Sequence, residues 1–344
     1  MSSNHFKYFR VKNFKRFKDF EVKNIGQFNL ILGDNNVGKT SLLEAFMFEK
    51  NFTLFHNYLL LRVKQRRIGS EFSGGVWQFF VNTDTLVQES YIETEFHINQ
   101  DEQVNIWFDK ETKRLEWNSA TAFIDRALSG EKAKERWVLP NSQTLTYPSD
   151  LFAPLISNFE GHDYSLTRQY SKLIQSKHKK LKKNLIDGLK KIDPSIVDLE
   201  IENVSTNQPL LTIESSKSAS RNLLATYGDG LISIFKLLVF IELFSERRLM
   251  IDEIDAGIHH SRMKDYWKTA IESSKNSSVQ LFATTHNKEC IESFEEALKE
   301  LGESYTEKAR TITLKENSKT GDVTAYTNEF SVLEHALELG NDLR

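Results

Sequence analysis

Cysteine is almost absent from this chain of 344 residues, and its scarcity excludes two kinds of site. Cys290 stands alone, so the chain can form neither a disulfide framework nor a zinc site built from several cysteine ligands. Hydrophobic residues make up 39% of the sequence, a share typical of a globular protein that is stabilised by a packed core.

Long apolar runs are absent as well. Residues 1–5 contain no stretch of the signal-peptide type, and the most apolar segment, residues 231–244, is interrupted by Lys236 and Glu242. That segment is also too short to span a bilayer. From the sequence we therefore expect a cytoplasmic protein with no membrane partner.

Neither sign of charge dominates, because 45 lysines and arginines face 48 acidic residues, and the net charge of −3 favours no particular partner. Two segments are nevertheless locally basic. The first contains Arg168, Lys172, Lys177, Lys179, Lys180, Lys182, Lys183, Lys190 and Lys191, and the second contains Arg62, Lys64, Arg66 and Arg67. Such runs are typical of a solvated helix face. They also suit contact with the phosphate backbone of nucleic acid, so both interpretations stay open.

The spacing of apolar residues predicts the order of helices and strands. Strands are predicted at residues 6–11, 19–22, 28–32, 91–98, 104–108, 114–117, 196–204, 210–213, 248–251, 279–284, 310–314 and 323–326. Helices are predicted at residues 40–49, 164–191, 231–244, 261–274, 288–298 and 332–339. The alternation in the final third indicates a mainly parallel sheet covered by helices. The strands between residues 91 and 117 indicate an antiparallel β subdomain.

Residues 33–40, with the sequence GDNNVGKT, match the phosphate-loop pattern G-x-x-x-x-G-K-[ST] at every fixed position. The loop follows an apolar strand and opens an amphipathic helix, which disfavours the alternative of a simple glycine turn. Lys39 is predicted to contact the β- and γ-phosphates and Thr40 to offer its hydroxyl to Mg²⁺. The predicted nucleotide contacts are Gly33, Asp34, Asn35, Asn36, Val37, Gly38, Lys39, Thr40 and Ser41.

A second half of the site is predicted where an apolar strand ends in two acids, Asp252 and Glu253. Such a strand end is common in isolation, but downstream of a phosphate loop it has the Walker B arrangement. Asp252 would hold Mg²⁺ and Glu253 would polarise the attacking water. A third apolar strand ends at His286, one helix and one strand further on.

More than half of the chain separates Lys39 from Asp252, which indicates an insertion that splits the nucleotide-binding domain. We therefore predict an N-terminal part of this nucleotide-binding domain at residues 1–90 and a C-terminal part at residues 216–344. Residues 91–215 would form the inserted β and helical region.

These motifs together resemble the SMC/RecF/OLD group of ABC ATPases, and most closely the small OLD-like AAA family ATPases of bacterial phage-defence operons. The resemblance is carried by residues 33–40, 227–230, 252–253, 255–259 and 284–286. It implies an α/β fold, a split P-loop ABC-type head with an inserted antiparallel β subdomain and a lysine-rich helical arm.

The same resemblance implies roles for further residues. His286 corresponds to the switch histidine at the γ-phosphate, and residues 255–259 correspond to the D-loop at the dimer seam. The ABC signature corresponds to Gly228, Asp229 and Gly230, although the usual serine before the glycine pair is missing. Since the signature acts on the nucleotide of the opposite subunit, a homodimer or higher homo-oligomer is expected. Gln78 is the candidate for the Q-loop glutamine.

The resemblance therefore predicts an ATPase, with ATP and Mg²⁺ as cofactors, that acts as a switch in phage defence. OLD nucleases continue into a toprim domain, but no second acidic cluster follows His286, so a separate nuclease or toxin is expected as the effector. Two alternatives stay open. One is a RecF-like DNA-repair or maintenance ATPase that binds DNA directly, and the other is a slow ATP-binding scaffold that sequesters a toxin.

Overall fold

A computed structural model describes residues 5–49, 54, 57–58, 61, 93–97, 103–109, 114–119, 135–138, 154–156, 164–177, 179–204 and 208–340. The strands are β1 (Tyr8–Phe14), β2 (Phe17–Val22), β3 (Phe28–Gly33), β4 (Glu93–His97), β5 (Gln103–Asp109), β6 (Arg114–Ser119), β7 (Glu135–Val138), β8 (Leu155–Ile156), β9 (Ile196–Val204), β10 (Gln208–Ser215), β11 (Asn222–Leu223), β12 (Arg248–Ile251), β13 (Gln280–Thr284), β14 (Ala309–Glu316) and β15 (Val323–Glu329). The helices are α1 (Lys39–Ala45), α2 (Tyr164–Lys177), α3 (Lys179–Lys190), α4 (Asp229–Leu243), α5 (His260–Asn276), α6 (Lys288–Leu301), α7 (Glu303–Thr306) and α8 (Phe330–Glu338).

Several sequence predictions fall outside these described residues. They are the proposed Q-loop residue Gln78, the basic segment Arg62, Lys64, Arg66 and Arg67, and the predicted domain boundary at residue 90.

The central sheet has the strand order β15-β14-β3-β13-β12-β8. Five of its strands run parallel, and β15 alone is antiparallel, at one edge. Strands β3, β12 and β13 are buried along their whole length, as expected for parallel strands that are covered on both faces. The predicted mainly parallel sheet is thereby confirmed.

Each face of the central sheet packs against a different apolar core, because side chains alternate along a strand. On β3, Leu30 and Leu32 belong to the core that also contains the apolar sides of helices α4, α5 and α6, whereas Ile31 belongs to the other core. That second core contains Met250 of β12 and Phe282 of β13, which pack with α1 and with the hairpin β1-β2.

A second six-stranded sheet is antiparallel and has the order β2-β1-β4-β5-β6-β7. The predicted antiparallel strands after residue 91 are confirmed, and β4 pairs with β1, from Tyr8↔His97 to Lys12↔Glu93. The antiparallel region therefore extends the N-terminal hairpin β1-β2. The division of the chain into residues 1–90, 91–215 and 216–344 stays a prediction.

The lysine-rich region is described as two helices, α2 and α3, whose apolar sides join the main core. The rings of Tyr170 on α2 and Phe235 on α4 lie 5.5 Å apart, centroid to centroid. On α3, a Cβ at Gly188 would come within 2.6 Å of a methyl carbon of Leu238, so α3 and α4 are in close contact there. A small sheet, β11-β10-β9, completes this region. Across the described residues, no helix is long and apolar enough to cross a membrane.

A buried arginine connects β12 to the chain that follows α1. Arg248 donates to the carbonyl oxygens of Phe46 (3.3 Å) and Phe48 (2.7 Å), and its Nη2 lies 2.8 Å from Oε1 of Glu49. The guanidinium carbon also lies 3.8 Å from the ring centroid of Phe6. Burial lowers the pKa of Arg248, and the carboxylate of Glu49 opposes that shift. The ion pair is therefore a desolvated one, whose loss leaves a charge inside the core.

We predict that Arg248→Met lowers the free energy of unfolding by about 3–5 kcal/mol, because Glu49 stays buried without its arginine. Urea unfolding followed by circular dichroism measures the change. The matched control is Arg10→Met, which removes the solvent-exposed pair of Arg10 with Asp19 and should cost at most about 1 kcal/mol. Equal losses in the two variants would contradict the structural role of Arg248.

Candidate functional site

A polar cleft of about 570 Å³ lies at the carboxyl edge of the central sheet, where β3, β12 and β13 end side by side. Parallel strands place the residues that follow them at one shared edge, which is where ligands of such sheets bind. The residues that line the cleft are Arg16, Asn35, Asn36, Gly38, Lys39, Thr40, Ser41, Asp252, Glu253, Thr284, Thr285 and His286. The three motifs found separately in the sequence therefore meet in one cleft.

The phosphate loop requires glycine at two positions. Gly33 and Gly38 have φ angles of 138° and 112°, in the region that favours glycine. A Cβ would lie 2.6 Å from the carbonyl oxygen of Leu314 at Gly33, and 2.8 Å from Cδ of Arg16 at Gly38. Helix α1 begins directly after Gly38, so N–H groups without intrahelical partners belong to residues that line the cleft.

Two predicted loop contacts lie elsewhere in the loop. Val37 is buried in the second core, so its side chain cannot contribute to the cleft, and only its main chain remains available to a nucleotide. Gly33 and Asp34 do not line the cleft but accept hydrogen bonds from Lys39 through their carbonyl oxygens, at 2.7 and 2.9 Å.

The ammonium group of Lys39 is thus hydrogen-bonded to the main chain at the start of its own loop. Burial lowers the pKa of Lys39, while the nearby charges of Asp252, Asp34 and Glu253 oppose the shift. A phosphate oxygen carries negative charge and the loop carbonyls do not, so an ammonium–phosphate hydrogen bond adds a Coulomb attraction between opposite charges that the present bonds lack. A phosphate group would therefore replace the carbonyl partners of Lys39 with better ones.

The side chains of Thr40 and Asp252 meet although they come from distant parts of the chain. Thr40 Oγ1 donates to Asp252 Oδ2 at 2.8 Å. Hydroxyl and carboxylate oxygens are the hard ligands that suit Mg²⁺. The two residues predicted as metal ligands are therefore in mutual contact, and their chemistry fits that metal.

The other two predicted catalytic residues line the same cleft. Glu253 is exposed and has a φ angle of 54°, a left-handed conformation that is uncommon for a residue with a side chain. His286 is exposed two residues beyond the end of β13. The cleft thus contains a carboxylate, an imidazole and an ammonium around one space.

Three residues of the cleft were not assigned a role from the sequence. Arg16 lies in the turn between β1 and β2 and pairs with Glu316 at 2.6 Å. Thr284 donates to Asp252 Oδ1 at 2.8 Å, and Thr285 donates to Asp255 Oδ1 at 2.7 Å. The two threonines could have been found by asking which hydroxyl groups end the strand beside β12.

The proposed signature lies outside the cleft. Gly228 and Gly230, at the start of α4, line a second cavity of about 450 Å³ together with Gly257 and His259. Asp229 contacts the same neighbouring segment, since a Cβ at Gly257 would lie 3.4 Å from Cβ of Asp229. The structure therefore brings the predicted signature and the predicted D-loop together, in a different cavity from the one that Lys39 lines.

A glycine loop between a buried strand and a helix, whose lysine and threonine face acids that follow β12, two strands along the same sheet, defines a P-loop nucleotide-binding protein. The fold is that of an SMC head. A crystal structure of an SMC head bound to the C-winged helix domain of ScpA matches with a TM-score of 0.61 and 14% identity, over 97% of this chain and 99% of that one. An SMC head with an extended coiled coil, bound to the C-terminal domain of ScpA derived from Pyrococcus furiosus, matches with a TM-score of 0.54 and 13% identity, over 97% and 99% of the two chains.

The sequence family is equally defined. The family model described as an AAA ATPase domain matches residues 6–223, and the chain belongs to that family. A protein of Helicobacter pylori named ATP/GTP phosphatase is 24% identical over 333 residues, covering 85% of this chain and 88% of that protein. The chain is therefore an ATPase, and the predicted α/β fold is confirmed, since the chain shares the fold of SMC heads.

We predict that Lys39→Ala abolishes ATP binding, because the variant lacks the ammonium group that would bind the phosphate oxygens. Calorimetric titration with ATP and Mg²⁺ measures the loss, and the thermal midpoint should stay close to that of the wild type. Lys315→Ala, at an exposed position on β14, serves as the control and should bind normally. Undiminished ATP affinity in Lys39→Ala would contradict the assignment of the loop.

Proposed function

We propose that this ATPase is a switch subunit that dimerises around ATP and Mg²⁺ and controls a separate effector in phage defence. The observation that carries the dimer is the separation of two half-sites on one chain. Lys39, Thr40 and Asp252 line the cleft, whereas Gly228 and Gly230 line the second cavity. A second copy can supply the missing half to each cleft, and the ligand then lies between the two chains.

Within the cleft, the metal site would consist of Thr40 and Asp252, whose oxygens already lie 2.8 Å apart. Mg²⁺ bound there would neutralise charge on the β- and γ-phosphates. Lys39 would bind the same phosphates as a point charge. These three residues bind and orient the nucleotide.

Hydrolysis would depend on Glu253 and His286. An exposed carboxylate at the cleft can accept a proton from the attacking water, and proton transfer of this kind contributes about 10²–10⁴-fold to rate. The imidazole of His286, which lines the same cleft two residues beyond β13, would hydrogen-bond the γ-phosphate. The absence of the signature serine affects the partner's half-site and leaves these groups intact.

Dimerisation would use the N-terminal end of α4, a helix of 15 residues. The partial positive charge at a helix N-terminus favours an anion such as the partner's γ-phosphate. Among the described residues, a Cβ at Gly230 would meet only the carbonyl oxygen of Gly257, at 3.8 Å, so this helix end leaves room for a ligand. Two SMC heads of similar fold are bound to domains of ScpA, which supports a role for a partner protein. The phage-defence role itself rests on the resemblance to OLD-like ATPases.

We predict that Glu253→Gln keeps ATP binding but slows hydrolysis by about 10²-fold or more, because the amide cannot accept the proton. The same variant should accumulate an ATP-bound dimer, measured by multi-angle light scattering. Adding Gly230→Trp in the same chain should prevent that dimer without reducing ATP binding, since the indole would fill the space for the partner's γ-phosphate.

Two outcomes would contradict this proposal. A Glu253→Gln variant that hydrolyses ATP at the wild-type rate would remove Glu253 from the chemistry. A dimer that persists with Gly230→Trp would remove the signature from the interface. A wild type that hydrolyses ATP no faster than the protein-free solution would favour the alternative of an ATP-binding scaffold that sequesters a toxin.

A second candidate function is direct binding of nucleic acid, and a basic cleft at the opposite edge of the central sheet favours it. This cleft, of about 500 Å³, lies before β3, β13 and β14. Its charged and titratable lining residues are His5, Lys7, Lys275, Lys308, Arg310 and one acid, Glu307. Within the described parts of the chain, Lys7 and Lys308 make no ion pair, so their charges are available to phosphates.

The lysine-rich helices are a weaker candidate for that contact. Lys182 pairs with Asp198 at 2.8 Å and with Glu200 at 2.7 Å, and Lys191 pairs with Glu272. These acids neutralise part of the positive charge on the helices. The basic cleft therefore replaces the helices as the favoured contact for a phosphate backbone.

If DNA binds in the basic cleft, the double variant Lys7→Glu with Lys308→Glu should weaken it at least about 10-fold and lower the salt slope by about 2. Fluorescence anisotropy with labelled duplex DNA, at several salt concentrations, measures both quantities. The charge-matched control is Lys183→Glu with Lys190→Glu, two exposed positions on α3. A larger loss in the control would assign the contact to the helices, and no binding by the wild type would exclude this function.

A further inference from the structure

The last residue of β13, Thr284, lies between the two acids that follow β12. Its side chain is buried, with 1% of its surface exposed. The hydroxyl donates to Asp252 Oδ1 at 2.8 Å and accepts the backbone N–H of Glu253, also at 2.8 Å. A hydroxyl has one hydrogen to donate, so these two bonds assign its proton to Asp252.

The bond to Asp252 differs from the bond that Thr40 makes to the same carboxylate. Thr40 Oγ1 donates to Oδ2, the other oxygen, and the proposed function assigns Thr40 to the metal. If Thr40 bound a metal and gave up its hydrogen bond to Asp252, the hydroxyl of Thr284 would still hold the carboxylate of Asp252. Groups in this position orient a metal ligand without touching the metal.

The bond to Glu253 solves a separate problem of backbone geometry. Pairing of β12 with β13 ends at Ile251↔Ala283, so the chain leaves the sheet just before the acids. The N–H of Asp252 still reaches the carbonyl of Ile156 at 2.9 Å, and the N–H of Ile254 reaches the carbonyl of Thr284 at 3.0 Å. The N–H between them, that of Glu253, has the Thr284 hydroxyl as its acceptor.

Glu253 also has the left-handed φ angle of 54°. Such a conformation persists in a residue with a side chain only where the surroundings hold it. The hydrogen bond from the N–H of Glu253 to Thr284 is one such restraint. It fixes the backbone from which the side chain of Glu253 extends into the cleft. One buried hydroxyl therefore restrains both a predicted metal ligand and the predicted general base.

We infer that Thr284 is a positioning residue for ATP hydrolysis, which orients the carboxylate of Asp252 for the metal and fixes the backbone of Glu253. The inference rests on the proposed roles of those two acids. Within the described structure the Thr284 hydroxyl hydrogen-bonds Asp252 and Glu253 and not the phosphate loop, so its effect should fall on metal binding and turnover and not on nucleotide affinity.

The test uses Thr284→Val, which keeps the shape of the side chain but removes the hydroxyl, and Thr284→Ser, which keeps the hydroxyl. With ADP present, Thr284→Val should bind Mn²⁺ about 10–100-fold more weakly, measured by electron paramagnetic resonance. Its kcat should fall by at least about 10-fold, while affinity for ADP without metal stays within about 2-fold of wild type. Thr284→Ser should restore both metal affinity and kcat.

A matched control is available in the same sheet. Thr311, on β14, is also buried, and its hydroxyl has no hydrogen-bond partner within the described structure. Thr311→Val should therefore leave Mn²⁺ affinity and kcat unchanged. If Thr284→Val does not fold, Thr284→Ala removes the same hydroxyl without adding a methyl group and takes its place.

Two results would overturn the inference: wild-type Mn²⁺ affinity and kcat in the folded valine or alanine variant, or a serine variant as impaired as the valine variant. Failure of the proposed function looks different. If Glu253→Gln hydrolysed ATP at the wild-type rate, Glu253 would not be the general base, whatever the result for Thr284→Val. If Glu253→Gln is inactive and Thr284→Val is normal, only the role of Thr284 falls.

Discussion

The parallel pairing of β3, β13 and β12 is the constraint on which the predicted nucleotide cleft depends. The three strands supply the phosphate loop, His286 and Asp252, and those groups meet only because the strands end at one edge. Since side chains alternate along a strand, a register shift of one residue would move the apolar set of β13 to the other core and turn Thr284 away from Asp252. Packing of the two cores therefore fixes the strand register, and with it the positions of the side chains in the cleft.

Strand β12 is held to the region of α1 at both of its ends. At the amino end, Arg248 binds the main chain after α1 through Phe46 and Phe48, and at the carboxyl end Asp252 binds Thr40 on α1. The strand has only 4 residues, so these two connections lie close together. These hydrogen bonds connect α1 to β12 directly. The distance between the phosphate loop and Asp252 should therefore change little while they stay intact.

The sequence predicted the parts of the site that local patterns define. The phosphate loop has fixed spacing, and the apolar strands that end at Asp252 and His286 are recognisable because a buried parallel strand reads as a continuous run. The pairing of β4 with β1 could not be read in this way, because it joins residues that are distant in the chain. Arg16 was missed for the same reason, since its place beside Gly38 depends on how the turn between β1 and β2 packs against the loop and not on neighbouring residues.

The hydrogen bonds of Lys39 within its own loop affect how readily a bound phosphate group leaves the cleft. Its ammonium has two carbonyl acceptors within its own loop, so the departure of a phosphate returns it to existing partners and leaves no orphaned charge. Thr40 and Asp252 likewise have each other once a metal leaves. Product release is therefore opposed less strongly than it would be in a cleft whose charges depended wholly on the nucleotide. Such a cleft is suited to repeated turnover and ill-suited to long-term storage of a bound nucleotide.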